Sequence, residues 1–138
     1  MRKSDPNLNN STTQKGVITH TLGNLITVWP LNLNQEKEIV FNDFPTISSQ
    51  TLHVGDWIQM EVDSGDIIVY REKISPILPT YVSARGDVRV KTQLYFPNGL
   101  VTRGKNLIAY SDDFGPIGIF FPCPEIDAKF SYDVWVTR

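Results

Sequence analysis

The chain has 138 residues, of which 41 % are apolar and 20 % charged, and its net charge is −2. That length suits one ordinary domain or two very small ones, with enough apolar residues for a packed core. The near-neutral balance excludes a chain that is basic throughout and holds nucleic acid by charge alone, and no apolar run approaches the ~20 residues of a membrane-spanning helix.

Residues 1–14, "MRKSDPNLNNSTTQ", are polar and read as a disordered tail. From Lys15 onward, short runs rich in Val, Ile, Thr and aromatic residues alternate with Gly, Pro, Asn and Asp. This pattern predicts an all-β chain with strands near 15–21, 24–30, 37–42, 54–63, 66–74, 86–95, 98–102, 105–111, 116–121 and 129–137. The stretch "TLHVGDWIQMEVDSGDIIVY", residues 51–70, holds two such runs around an Asp/Ser/Gly turn, so it reads as a hairpin. "SPILPT", residues 75–80, carries two prolines that interrupt a regular ladder, and it is the best internal boundary. The expected organisation is a tail at 1–14, a first β unit at 15–74 and a second at 81–138.

The two sides of that boundary resemble each other. "GNLITVWPLNLNQEKEIVFNDF", residues 23–44, is echoed by "NGLVTRGKNLIAYSDDF", residues 98–114, and "HVGDWIQMEV" more loosely by "KFSYDVWVTR". A duplication accounts for this. The copies are unequal: "GDIIVY" follows the first "GDW" segment, and nothing follows the second. Either residues 66–90 serve both units, or another chain supplies the missing strand by β-augmentation.

In order, "KGVI" (15–18), "NLITVW" (24–29), "EIVFNDF" (38–44), "LHVGDWIQMEV" (52–62) and "DIIVY" (66–70) make the first half resemble an S1-like or cold-shock-like OB-fold unit. The second half resembles a divergent second copy. The resemblance implies two tandem small Greek-key barrels packed together, the second divergent or incomplete. It also implies an accessory module of RNA processing or RNA-mediated gene silencing.

Barrels of this kind that bind single strands stack bases on aromatics of their second and third strands over a basic groove. Here the third strand keeps Phe41 and Phe44, but the second offers Leu25, Ile26 and Val28, with only Trp29 at its end. Period-two alternation favours burial of Phe41. Charge is uneven. Residues 71–105 hold Arg71, Lys73, Arg85, Arg89, Lys91, Arg103 and Lys105 against Glu72 and Asp87, a net of +5, whereas residues 36–70 carry −6. Such a cluster is a solvated face, a match for the acidic first half, or a phosphate site.

Catalytic signals are weak. His20 and His53 stand outside any ligand spacing, and Cys123, between two prolines in "FFPCPE", has no neighbouring base. "SDDF" and "EVDSGD" place acids together, as metal sites do, but these are also turn sequences. The lone cysteine excludes an internal disulfide and favours a reducing compartment. With no apolar signal core near Met1, the expectation is an intracellular protein, cytoplasmic or nuclear.

The expected function is therefore a non-catalytic adaptor or scaffold that docks another protein within an RNA-related assembly. No cofactor, metal, membrane or small-molecule substrate is expected. Exposed Trp29, Phe114, Phe120 and Phe121 would be the anchors, since aromatic residues dominate interface hot spots. The alternative is a single-stranded RNA or DNA binder using Trp29, Phe41, Phe44, Arg89, Lys91, Arg103 and Lys105.

Overall fold

The computed structural model describes residues 12–31, 37–43, 51–65, 67–119 and 126–138. Among them every regular element is a strand, and no helix is long and apolar enough to cross a membrane. The strands are β1 (Thr12–Leu22), β2 (Leu25–Pro30), β3 (Ile39–Asn42), β4 (Trp57–Val62), β5 (Ile68–Ile74), β6 (Thr80–Val82), β7 (Val88–Leu94), β8 (Val101–Arg103), β9 (Asn106–Ser111), β10 (Gly115–Ile119) and β11 (Tyr132–Thr137). The all-β expectation holds, and each of the ten expected runs overlaps a strand. The short β6 was not expected. The tail at 1–11 lies outside the described residues, and Thr12–Gln14, expected to be disordered, begin β1 by pairing with β4.

The first five strands form one antiparallel sheet in the order β3-β2-β1-β4-β5. Three consecutive strands with the fourth returning beside the first is the Greek-key order. The sheet curls into a half-barrel, and one ion pair bridges from its β5 edge to the residue after β3. In that pair Arg71 of β5 donates from Nε and a terminal nitrogen to the two carboxylate oxygens of Asp43, which follows β3, at 2.8 Å each. The Arg71 side chain is only 1 % exposed. The expected hairpin is β4–β5, and its turn is built by Asp63, whose Oδ1 accepts the N–H groups of Gly65 (2.8 Å) and Ile67 (2.9 Å).

Alternation divides the side chains of this sheet between two cores. Ile18, Ile26, Val28, Phe41, Ile58, Met60 and Val62 fill the inside of the curl with Leu52. Val17, Trp29 and Trp57 point the other way. Val17 is paired with both tryptophans, so the three form a row across β2, β1 and β4. Beside that row, Gly16 lies so close to the Trp29 carbonyl, Val28 and Pro30 that a Cβ has no room.

The later strands pack onto the row. Val88, Val90 and Phe114 join Val17, Trp29 and Trp57 in a common cluster, with Leu78 and Val136 against it. Trp57 also donates from its indole nitrogen to Thr80 Oγ1 at 2.7 Å, which fastens β6 to the first sheet. Residues on both sides of 75–80 thus share one core. A further core of Leu94, Phe96, Leu107 and Ala109 lies beyond.

The later strands form two three-stranded sheets, in the orders β10-β9-β8 and β11-β7-β6. β7 pairs with β11 on one side. At its end, the Tyr95 N–H and carbonyl both bond Tyr110 of β9, at 3.0 and 2.9 Å. Alternation of backbone direction places β9 on the side of β7 opposite β11. After residues 96–100, β8 resumes pairing with β9, and β10 pairs with the far edge of β9. Two-residue hairpins join β1 to β2 through Gly23 (φ 60°) and β8 to β9 through Gly104 (φ 62°).

The Arg71–Asp43 ion pair predicts a specific unfolding pattern. Asp43→Ala leaves a buried guanidinium without its carboxylate and should cost about 3–5 kcal/mol in urea unfolding. Adding Arg71→Met to Asp43→Ala should restore part of that loss. Equal destabilisation by single and double variants contradicts a buried, compensated pair.

Candidate partner-binding site

The aromatic residues expected on the surface do not lie there. Trp29 and Phe114 are both buried, stacked with ring centroids 4.1 Å apart and planes 20° from parallel. Their expected role as exposed anchors is corrected: each covers the other, because Trp29 projects from the outer side of the first sheet and the later strands pack there. Phe114 is delivered by a hydroxyl-built turn. Ser111 Oγ accepts the N–H groups of Asp113 (3.0 Å) and Phe114 (3.2 Å) and lies 2.8 Å from Thr92 Oγ1, which in turn donates to Asp113 Oδ2 at 2.8 Å. The acids of "SDDF" thus accept side-chain hydroxyls, Asp113 from Thr92 and Asp112 from Tyr95, while Ser111 serves the turn amides. Phe41 is buried in the first core, as alternation favours. Phe44, Phe120 and Phe121 lie outside the described residues, as does Cys123.

The basic residues divide into three groups. Arg71 and Lys73 serve the first sheet, Arg71 on Asp43 and Lys73 on Asp56 at 3.3 Å. Arg89 and Lys91 share the exposed face of β7. Arg103 and Lys105 sit at the β8–β9 turn, in a different sheet, so the structure does not bring the four together on one face. Arg103 instead borders a cleft of about 390 Å³ with Arg138, floored by Trp29 and Phe114. Arg138 reaches Glu38 at 3.9 Å, an ion pair between the second and first units.

The "GD" of the opening hairpin is structural. Gly55 N–H donates to the Ile18 carbonyl and Ile18 N–H to the Asp56 carbonyl, both at 2.8 Å. Asp56 Oδ2 accepts the His53 N–H at 2.8 Å and sits 3.6 Å from the His53 imidazole. His20 Nδ1 lies 3.1 Å from Thr19 Oγ1. Among the described residues, no group of three or more His, Cys, Asp or Glu is placed to hold a metal ion.

Two surfaces that the sequence did not single out remain. The first is an apolar groove of about 470 Å³ between β10 and β11, walled by Leu94, Phe96, Ile117, Ile119, Tyr132 and Val134. In the first sheet the outer edge of β4 is paired with β5. Among the described residues no strand pairs with the outer edge of β11. The second is the outer face of the β6–β7–β11 sheet, where Tyr81 and Trp135 stand exposed beside Arg89 and Lys91. The signal for both was the period-two alternation of β7 and β11, which separates Trp135 from Val134 and Val136.

Tyr95 has a perturbed titration. Its hydroxyl donates to Asp112 Oδ1 at 2.9 Å. That bond holds the phenol in its neutral form and raises its pKa above the ordinary 10.0, with smaller contributions from desolvation and from the Asp112 charge.

No family model, curated protein or solved structure matches this chain. Strand order, burial and charge therefore carry the functional reading.

Two measurements check these placements. Phe114→Ala opens a cavity beneath Trp29 and should cost about 3–5 kcal/mol of stability; a variant of unchanged stability contradicts the stacked core pair. In an ultraviolet titration, Asp112→Ala should return the Tyr95 phenol toward the ordinary tyrosine range, and an unmoved curve contradicts the Asp112 bond.

Proposed function

We propose that this chain is a non-catalytic interaction module of two tandem S1-like OB barrels, whose second barrel is completed by an extended segment of another protein. The carrying observation is the outer edge of β11, which pairs with no strand among the described residues and lies beside an apolar groove. On this reading β11 takes the place in the second unit that β4 takes in the first, and the groove takes the place of β5. An incoming strand gains backbone hydrogen bonds from the β11 edge and specificity from alternate side chains entering the groove. The first unit supplies the template: on β5, Ile68 packs on the inner core and Arg71 is buried, while Val69 and Tyr70 remain outside. The partner's inward positions must be apolar, because Leu94, Phe96, Ile117, Ile119 and Val134 present no charge. The RNA-related setting rests on the S1-like resemblance alone.

Hydrogen exchange tests the reading. In the free protein the outward-facing amides of β11 should exchange quickly. Short synthetic peptides alternating Ile or Val with Thr or Lys should bind and protect them, and Val134→Lys in the groove wall should abolish binding. Protected β11 amides in the free protein, or peptides that bind without protecting β11, would refute strand addition.

A further inference from the structure

We propose that the protein segment seated in the groove carries acidic residues immediately before its apolar run, and that Arg103 and Arg138 receive them. This inference rests on strand addition at β11 and names the chemistry and direction of the incoming chain. The apolar groove and the cleft of about 390 Å³ are neighbours, because both touch Ile117 and Gly118 of β10. Across from them, Thr137 lines the groove and Arg138, the next residue, lines the cleft. The groove therefore runs into the cleft at the end where the chain leaves β11, and there its wall changes from apolar to cationic.

Arg103 enters the cleft from the end of β8, and Arg138 from the residue after β11. Arg138 faces Glu38 at 3.9 Å in a half-exposed pair. Among the described residues Arg103 forms no ion pair, so the cleft holds a positive charge that no carboxylate balances. Lys105, exposed two residues further along the β8–β9 turn, adds to it. By contrast, no charged residue lines the groove among the described residues. An incoming segment thus meets two chemistries in succession. Apolar side chains suit the groove, and carboxylates suit the guanidinium forks, which accept them through paired N–H···O bonds.

Strand direction sets the order. Among the described residues every strand pair is antiparallel. A strand added to β11 in the same manner runs opposite to it, so the end of β11 faces the start of the newcomer. The acids therefore stand before the apolar run. The other end of the groove repels them. Ile126 and Tyr132 line it there, and the neighbouring residues are Asp127 and Asp133, with Lys129 as the one nearby cation along the chain. Asp127 is held at that end, since the Tyr132 hydroxyl accepts its N–H at 2.8 Å.

The test titrates the full chain with four labelled peptides that share one run alternating Val or Ile with Thr. One is led by two glutamates, one by two glutamines and one by two lysines, and the fourth is followed by two glutamates. The glutamate-led peptide should bind roughly 3- to 30-fold more tightly than the glutamine-led one, the range that two half-exposed guanidinium–carboxylate pairs allow. Added salt should shrink that preference. The lysine-led peptide and the one with trailing glutamates should bind no better than the glutamine-led peptide. Joint Arg103→Gln and Arg138→Gln should erase the preference and leave the glutamine-led affinity in place. Arg103→Gln alone, which keeps the Glu38 pair, should reduce it. Equal binding of glutamate- and glutamine-led peptides, with β11 amides protected by both, would overturn the acidic assignment and leave strand addition standing. Absence of binding by all four would overturn both. An equal gain from trailing glutamates, or a preference that survives the joint substitution, would overturn the acidic assignment. So would glutamate-led binding that persists in Val134→Lys, because the cations would then act without the groove.

Discussion

The bidentate pair between Arg71 and Asp43 fixes the shape on which the rest of the molecule is laid. A guanidinium at 1 % exposure carries a large desolvation cost, and an apolar pair of similar volume would hold the core as well or better. What the ion pair adds is geometry. Two parallel N–H···O bonds admit one relative placement of β5 and the end of β3. With that placement fixed, Ile18, Ile58 and Met60 can only face inward, and Val17, Trp29 and Trp57 can only face outward. The outward row then needs a cover, and the later strands provide it.

That cover explains why the two units behave as one packed body. Phe114 lies flat against Trp29 because Ser111 takes the two amides that a tight turn leaves without partners. Thr92, buried on β7, ties that turn back to the sheet. Trp57 reaches Thr80 through its indole N–H. The Trp29–Phe114 stack joins a residue before the proline-containing connection to one after it, and Trp57 reaches that connection's last residue, so the connection does not separate two cores. The Arg138–Glu38 pair at the periphery adds little by comparison, since half-exposed ion pairs are worth at most about 1 kcal/mol.

Much of the architecture was legible because strands announce themselves by alternation and by the turns between them. β7, "VRVKTQL", shows strict alternation and was placed within a residue or two. β6 escaped notice because three residues between Pro79 and the "SARGD" turn carry no periodicity, and only pairing with Val88 and Val90 makes them a strand. Alternation tells which residues share a face but not what lies against it. For that reason Phe41 was correctly favoured as core while Trp29 was read as surface: the first has its own sheet to bury it, and the second depends on strands far along the chain. Asp63 of "EVDSGD" was legible as a turn former because a carboxylate a few residues before an amide serves local backbone first, whereas in "SDDF" Ser111 takes the turn amides and the acids accept hydroxyls of Thr92 and Tyr95. Trp135 and Tyr81 were missed for a related reason. Their neighbours across the sheet come from strands distant in sequence, so no local window holds both rings and both cations.

β11 is exposed in two ways at once. Its alternation sends Val136 toward the tryptophan row and Val134 toward the core of Leu94 and Phe96, while Trp135 stays half exposed. Its outer edge pairs with no strand among the described residues. Such an edge is a template for pairing unless something covers it, and strand addition is the cover on which the proposed docking rests.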